Sequence, residues 1–115
     1  MDPEVQRLVD HFGMSTLPVE GTLFVSTYRS PADTADGGPA GTAMLGIYSA
    51  DPLSRSLFHR LAFDEVWHFH QGDPMRLVLL HPDGSSGEVV LGADVFAGEQ
   101  PQARWLRDLT RQLAC

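Results

Sequence analysis

The sequence predicts a mainly β fold, an antiparallel sandwich or barrel set between an N-terminal and a C-terminal helix. Three observations predict it. The apolar period falls from 3.6 to 2 after Pro18, turn signals then recur at short regular intervals, and helical spacing returns only near the end of the chain.

The first element is an amphipathic helix over residues 3–14. Val5, Leu8, Val9 and Phe12 fall at helical spacing, with Asp2 as N-cap, Pro3 in the first turn and Gly13 as the stop. Thr22 to Ser30 is rich in β-branched and aromatic residues and reads as a strand. Ser30 to Gly41, with Pro31, Gly37, Gly38, Pro39 and Gly41, reads as loop, and Thr42 to Ser49 as a second strand. Breaks at Asp51-Pro52, near Asp64, at Gly72-Asp73-Pro74 and at Pro82-Asp83-Gly84 then separate strands over 55–62, 65–71, 75–81 and 88–91. Over 103–114, Trp105, Leu106, Leu109 and Leu113 return to helical spacing, with Arg107 and Arg111 between them, and predict a closing helix.

Composition limits the function. The 115 residues and 43% apolar content suit one domain, 1–115, with one modest core. Eight basic residues, all arginine, against 15 acidic ones leave a net charge of -7. A chain of this charge attracts neither polyphosphate nor an anionic membrane surface, so no nucleic-acid or membrane partner is expected. Cys115 is the one cysteine, which excludes an internal disulfide and a cysteine-based zinc site. The N-terminus lacks a basic signal-peptide start, and a cytoplasmic protein is expected.

Chemistry concentrates in His59 to Gly72, HRLAFDEVWHFHQG, which holds three of the five histidines, two acids and a tryptophan. Imidazole and carboxylate side chains ligate metals or move protons near neutral pH. If a hairpin turns near 62–64, strand alternation puts His59 and Leu61 on one face of the first strand and Glu65, Trp67 and Phe69 on one face of the second. His68 and His70 then point the other way. The apolar Trp67–Phe69 face is the expected interior. There His59 and Glu65 are either an acid/base pair or a buried hydrogen-bonded pair with no catalytic role. His68 and His70 can chelate a metal only with a third ligand that the sequence does not identify, so a structural role is expected and no metal site is assigned. A second group is Glu20-Gly21 with Thr27-Tyr28-Arg29-Ser30. The Tyr28 phenol and Arg29 guanidinium can grip a carboxylate or phosphate, unless Arg29 pairs with Asp33 or Asp36 at the surface.

The same window resembles the first motif of the cupin superfamily, in which His-x-His, a Glu and a closing Gly span a hairpin of a small jelly-roll barrel. His59 matches the first His, Glu65 the Glu and Gly72 the Gly, whereas Leu61 stands at the second His and Leu53 at the opening Gly. The finer resemblance is to the fifth cupin family, largely uncharacterised domains similar to sugar-nucleotide epimerases. It runs through Pro18 to Gly21, Tyr28-Arg29-Ser30, Thr42 to Ser49, His59-Arg60-Leu61, Asp64-Glu65-Val66-Trp67-His68-Phe69, Gly72-Asp73-Pro74, Leu77 to Gly84, Leu91-Gly92, Gly98-Glu99 and Pro101-Gln102. After Gln102 the sequence departs. Family members continue with Pro-x-Gly-x-Trp and the strands of a second motif, whereas here Ala103-Arg104-Trp105-Leu106 leads to Cys115.

The resemblance implies a small-molecule pocket in a cupin-type antiparallel β-barrel, here incomplete. The closing helix plugs it, a second copy completes it, or the tail comes from a truncated or frameshifted gene; a homodimer is expected because an open sheet edge needs a cover. It further implies an epimerase or isomerase of a sugar or related polar metabolite. In that reading His59 is general base, Glu65 tunes it, and Tyr28, Arg29, Trp67 and Glu20 contact substrate. The alternatives are a non-catalytic metabolite-binding module and a metal-dependent cupin dioxygenase. No cofactor is expected, since Leu61 replaces a ligand.

Overall fold

Asp2 opens the first helix as its position predicts. In the computed structural model its Oδ1 accepts from the amides of Glu4 at 2.8 Å and Val5 at 3.3 Å, donors that the first turn leaves without an internal acceptor. Gly13 ends helix α1 (Pro3–Phe12) at φ 66°, the left-handed conformation that glycine adopts at least cost. The structure describes residues 1–57, 59–60, 63–105 and 110–114, and gives the backbone alone at 59–60, 105 and 110–114. The fold is mostly antiparallel strands with this one helix among the described residues. It divides into two compact units after Ser54.

The first unit continues from α1 into β1 (Ser15–Thr16), β2 (Leu23–Arg29), β3 (Thr42–Ile47), β4 (Ser49–Ala50) and β5 (Leu53–Ser54). β1, β2 and β3 form one antiparallel sheet in that order, and β4 turns into β5 across Asp51-Pro52. The β2–β3 register runs from Leu23 opposite Ile47 to Arg29 opposite Thr42, with a shift between Ser26 and Tyr28. Thr22, Leu23 and Ser54 are buried. The Ser54 hydroxyl accepts from the Leu23 amide at 2.9 Å and donates to the Ile47 carbonyl at 2.5 Å, so one side chain fastens β5 to both β2 and β3. Ser54→Ala therefore strands a buried donor and a half-buried acceptor. A loss of about 1–3 kcal/mol in urea unfolding is expected, and a loss below about 0.5 kcal/mol would show that both groups find other partners.

The second unit contains β6 (His59–Arg60), β7 (Glu65–His68), β8 (Met75–Leu80), β9 (Ser86–Leu91), a 3-10 turn (Val95–Ala97), β10 (Gln102–Trp105) and β11 (Thr110–Ala114). β6, β11, β8 and β9 form an antiparallel sheet in that order, and β10 pairs with β7. Leu77 is 0% exposed at the middle of β8, in register with Val89 on β9 and Leu113 on β11. Leu91 and Ala103 complete the buried apolar set of this unit among the described residues. In the β8–β9 turn the Ser85 hydroxyl and amide donate to Asp83 Oδ1 at 2.6 and 2.9 Å. These bonds, the hydroxyl's first, hold the Asp83 carboxyl below its ordinary value. A depressed carboxyl contributes stability above its unfolded value and loses it as pH falls through the folded one. Ser85→Ala should therefore raise the Asp83 midpoint in an NMR titration; an unmoved midpoint would mean that these bonds do not set it.

The tail corrects the sequence reading. The described parts of the expected closing helix are strands: β10 (Gln102–Trp105) pairs with β7, and β11 (Thr110–Ala114) lies between β6 and β8 over five register pairs with β8. Trp105, Leu109 and Leu113 are spaced by four, a separation that a helical stripe and a period-two face share, so of the four apolar residues only Leu106 favours the helix. What separates them is pairing. The β11 backbone supplies ladder partners to strands on both sides, so the chain's own tail covers one edge of β8. The described strands form four separate sheets, of three, two, four and two strands.

Candidate functional site

β7 positions the central residues. Its alternation leaves Glu65 and Trp67 half-buried and Val66 and His68 exposed, as the strand period predicts. β10 repeats the pattern in register. Ala103, buried, lies opposite Trp67, whereas exposed Gln102 and Arg104 lie opposite His68 and Val66. One face of the ribbon is thus the sheltered Glu65–Trp67–Ala103 face, and the other carries imidazole, amide and guanidinium groups.

His59 sits on β6, with its backbone opposite Arg111 of β11. Its side chain, like Leu61 and Ala62, lies outside the described residues. β6 and β7 are not the two arms of a hairpin as the sequence suggested: β6 pairs with β11 and β7 with β10. The helical spacing of the tail hides both partners in the sequence, which leaves β6 and β7 only each other to pair with.

The second group lies along β2. Tyr28 and Arg29 end the strand, both exposed, and Arg29 makes no ion pair with Asp33 or Asp36 among the described residues. Glu20, half-buried, precedes the start of β2, so the strand's seven residues, roughly 20 Å of extended chain, separate it from the Tyr28–Arg29 end.

His68 Nδ1 accepts a hydrogen bond from Gln102 Nε2 at 3.1 Å. This partner escaped the sequence reading, although the alternation of Gln102 and Arg104 with Ala103 and Trp105 is itself a strand signal. No group of three or more His, Cys, Asp or Glu able to hold a metal occurs among the described residues.

Two family-like segments turn out to be turn architecture. A Cβ on Gly92 would overlap the Glu99 carboxylate, lying 2.8 Å from its Cδ and 3.2 Å from its Cβ. Glu99 Oε1 in turn accepts from the Asp94 amide at 3.1 Å, and Asp94 Oδ1 accepts from the Ala97 amide at 3.2 Å. Gly92→Ala should cost about 1–3 kcal/mol in thermal or urea unfolding, because Glu99 cannot keep both its position and its bond. Unchanged stability would mean that the carboxylate swings away freely.

With the fold and these positions in place, the comparisons are decisive at the family level. The family model described as Cupin superfamily (DUF985) matches residues 6–106. The chain belongs to the cupin superfamily. Similar solved structures agree. A crystal structure of a protein from Shewanella oneidensis superposes with a TM-score of 0.86 at 27% identity, covering 95% of this cupin and 67% of that chain. A hypothetical protein from Leishmania major gives 0.82 at 24% identity, over 95% and 68% of the two chains, which speaks to fold alone. No curated protein matches the sequence.

Proposed function

We propose that this cupin binds a small polar metabolite on the Glu65–Trp67 face and acts on it as an epimerase or isomerase. The observation that carries the reading is the sheltered face of β7, where a carboxylate and an indole stand side by side in a chain of this family. An indole wall beside a carboxylate suits a sugar, whose ring has apolar C–H faces and hydroxyl edges. His59, from the matched motif, serves as general base toward a proton next to a carbonyl, with Glu65 orienting or tuning its imidazole. The family resemblance also carries Tyr28, Arg29 and Glu20, of the first unit, as candidate substrate contacts, the phenol or guanidinium being suited to a developing negative charge.

Calorimetry of the full chain against a panel of keto-sugars and sugar phosphates, with product analysis of every hit, tests this reading. Binding with turnover is expected. Binding with the ligand recovered unchanged would establish the non-catalytic module instead, and a stoichiometric transition metal in protein purified without added metal would favour the dioxygenase.

The same proposal takes residues 1–115 as one domain, because the family match runs across both units. No helix among the described residues is long and apolar enough to cross a membrane. We also propose a homodimer. β3 is an outer strand of its sheet, and outer strands commonly need a partner or a cover. Sedimentation at micromolar concentration should give twice the 12.6 kDa chain mass, and a single-chain mass would remove the dimer.

A further inference from the structure

The exposed face of the β7–β10 ribbon is not flat. Val66, Gln100, Gln102, Ala103 and Arg104 line an open cavity of about 420 Å³, within the size range of small-ligand sites. The strand period sets its Val66, Gln102 and Arg104 side chains on the opposite face from Glu65 and Trp67, so the ligand these side chains hold is not the one proposed for that face.

The cavity is built on paired backbone. β10 is held against β7 through four register pairs, and Gln100 is tied to β9, its amide donating to the Val90 carbonyl at 2.8 Å and its carbonyl accepting from Gly92 at 3.0 Å. The polar side chains therefore project from a fixed base. Gln102 is oriented further by its bond to His68 Nδ1 at 3.1 Å.

Charge decides the ligand class. Arg104 makes no ion pair among the described residues, although the chain carries 15 acidic groups. A guanidinium left outside an ion pair, next to two amide side chains and an apolar valine, offers a fork for two anionic oxygens, further N–H donors, and a surface for hydrocarbon. We propose that this cavity is a second binding site, specific for a small carboxylate with an apolar body. The carboxylate lies on Arg104, the Gln100 and Gln102 amides donate to it from the rim, and the apolar part covers Val66. The net charge of -7 opposes general attraction of anions, so saturable binding here reports the site and not the overall field.

The test is a proton–nitrogen NMR titration of the full chain with sodium benzoate at constant ionic strength, with sodium chloride as control. Expected are saturable shifts of the Gln100 and Gln102 side-chain amides and of Arg104 Nε. Arg104→Gln should weaken binding by about tenfold or more, and Arg104→Lys, which keeps the charge but not the fork, should weaken it by less. Arg76→Gln, at an exposed position on β8, should leave it unchanged and serves as the control for lost positive charge. The dispersion of each variant's spectrum reports its folding. Linear, non-saturating shifts, or equal affinity in Arg104→Gln, would overturn the proposal.

Discussion

Leu77→Ala should lower the unfolding free energy by about 2–5 kcal/mol, among the largest losses expected from a single side chain of the described residues. Leu77 is 0% exposed, and its strand is paired on both sides, with β9 and with β11. Truncation removes the transfer energy of the missing carbons and leaves a hole that two paired neighbours prevent from closing. Domains of this size are stable by only about 5–15 kcal/mol, so such a loss is a large share of the total. Urea unfolding followed by circular dichroism measures it as a lower midpoint at unchanged slope. Leu80→Ala, three residues along the same strand but 37% exposed, should cost under about 1 kcal/mol. Equal costs for the two would mean that β8 does not present its inner face at Leu77.

The second large effect concerns the proposed chemistry. A positioned general base contributes about 10²–10⁴-fold, so His59→Ala should reduce solvent deuterium exchange into a keto-sugar substrate by at least about a hundredfold, with the fold retained by circular dichroism. Glu65→Gln tests the partner role separately. If the carboxylate tunes the imidazole, the pH profile of exchange moves as well as its rate; if Glu65 only packs, the rate alone changes. Unchanged exchange in His59→Ala would remove that residue from the mechanism.

Much of the fold was legible in the sequence, because its signals are local. The cap at Asp2, the stop at Gly13 and the strands after Pro18 follow from side chains acting within a few residues of themselves. The face assignment within β7 was legible for the same reason: alternation is a property of one strand, and it correctly set Glu65 and Trp67 apart from His68. Strand pairing is not local. The partners of β6 and β7 lie more than thirty residues away in a tail whose main apolar spacing, of four, fits either period, so the hairpin and the closing helix were misread together. Once that tail is read as strand, Gln102 meets His68 and Arg104 meets Val66, and a polar cavity appears that no motif announced. The motif residues Gly92 and Glu99 show the converse. Their resemblance to the family was plain in sequence, but their part in holding a turn became visible only from the contact between them.

The central claim is that the Glu65–Trp67 face holds the metabolite, and native mass spectrometry after incubation with the sugar panel tests it most directly. The account predicts a one-to-one adduct on the wild-type chain that falls by about tenfold or more in Trp67→Ala and in Glu65→Gln and persists in His68→Ala. A wild-type chain that stays bare against every sugar, or an adduct lost in His68→Ala and kept in Trp67→Ala, would contradict it.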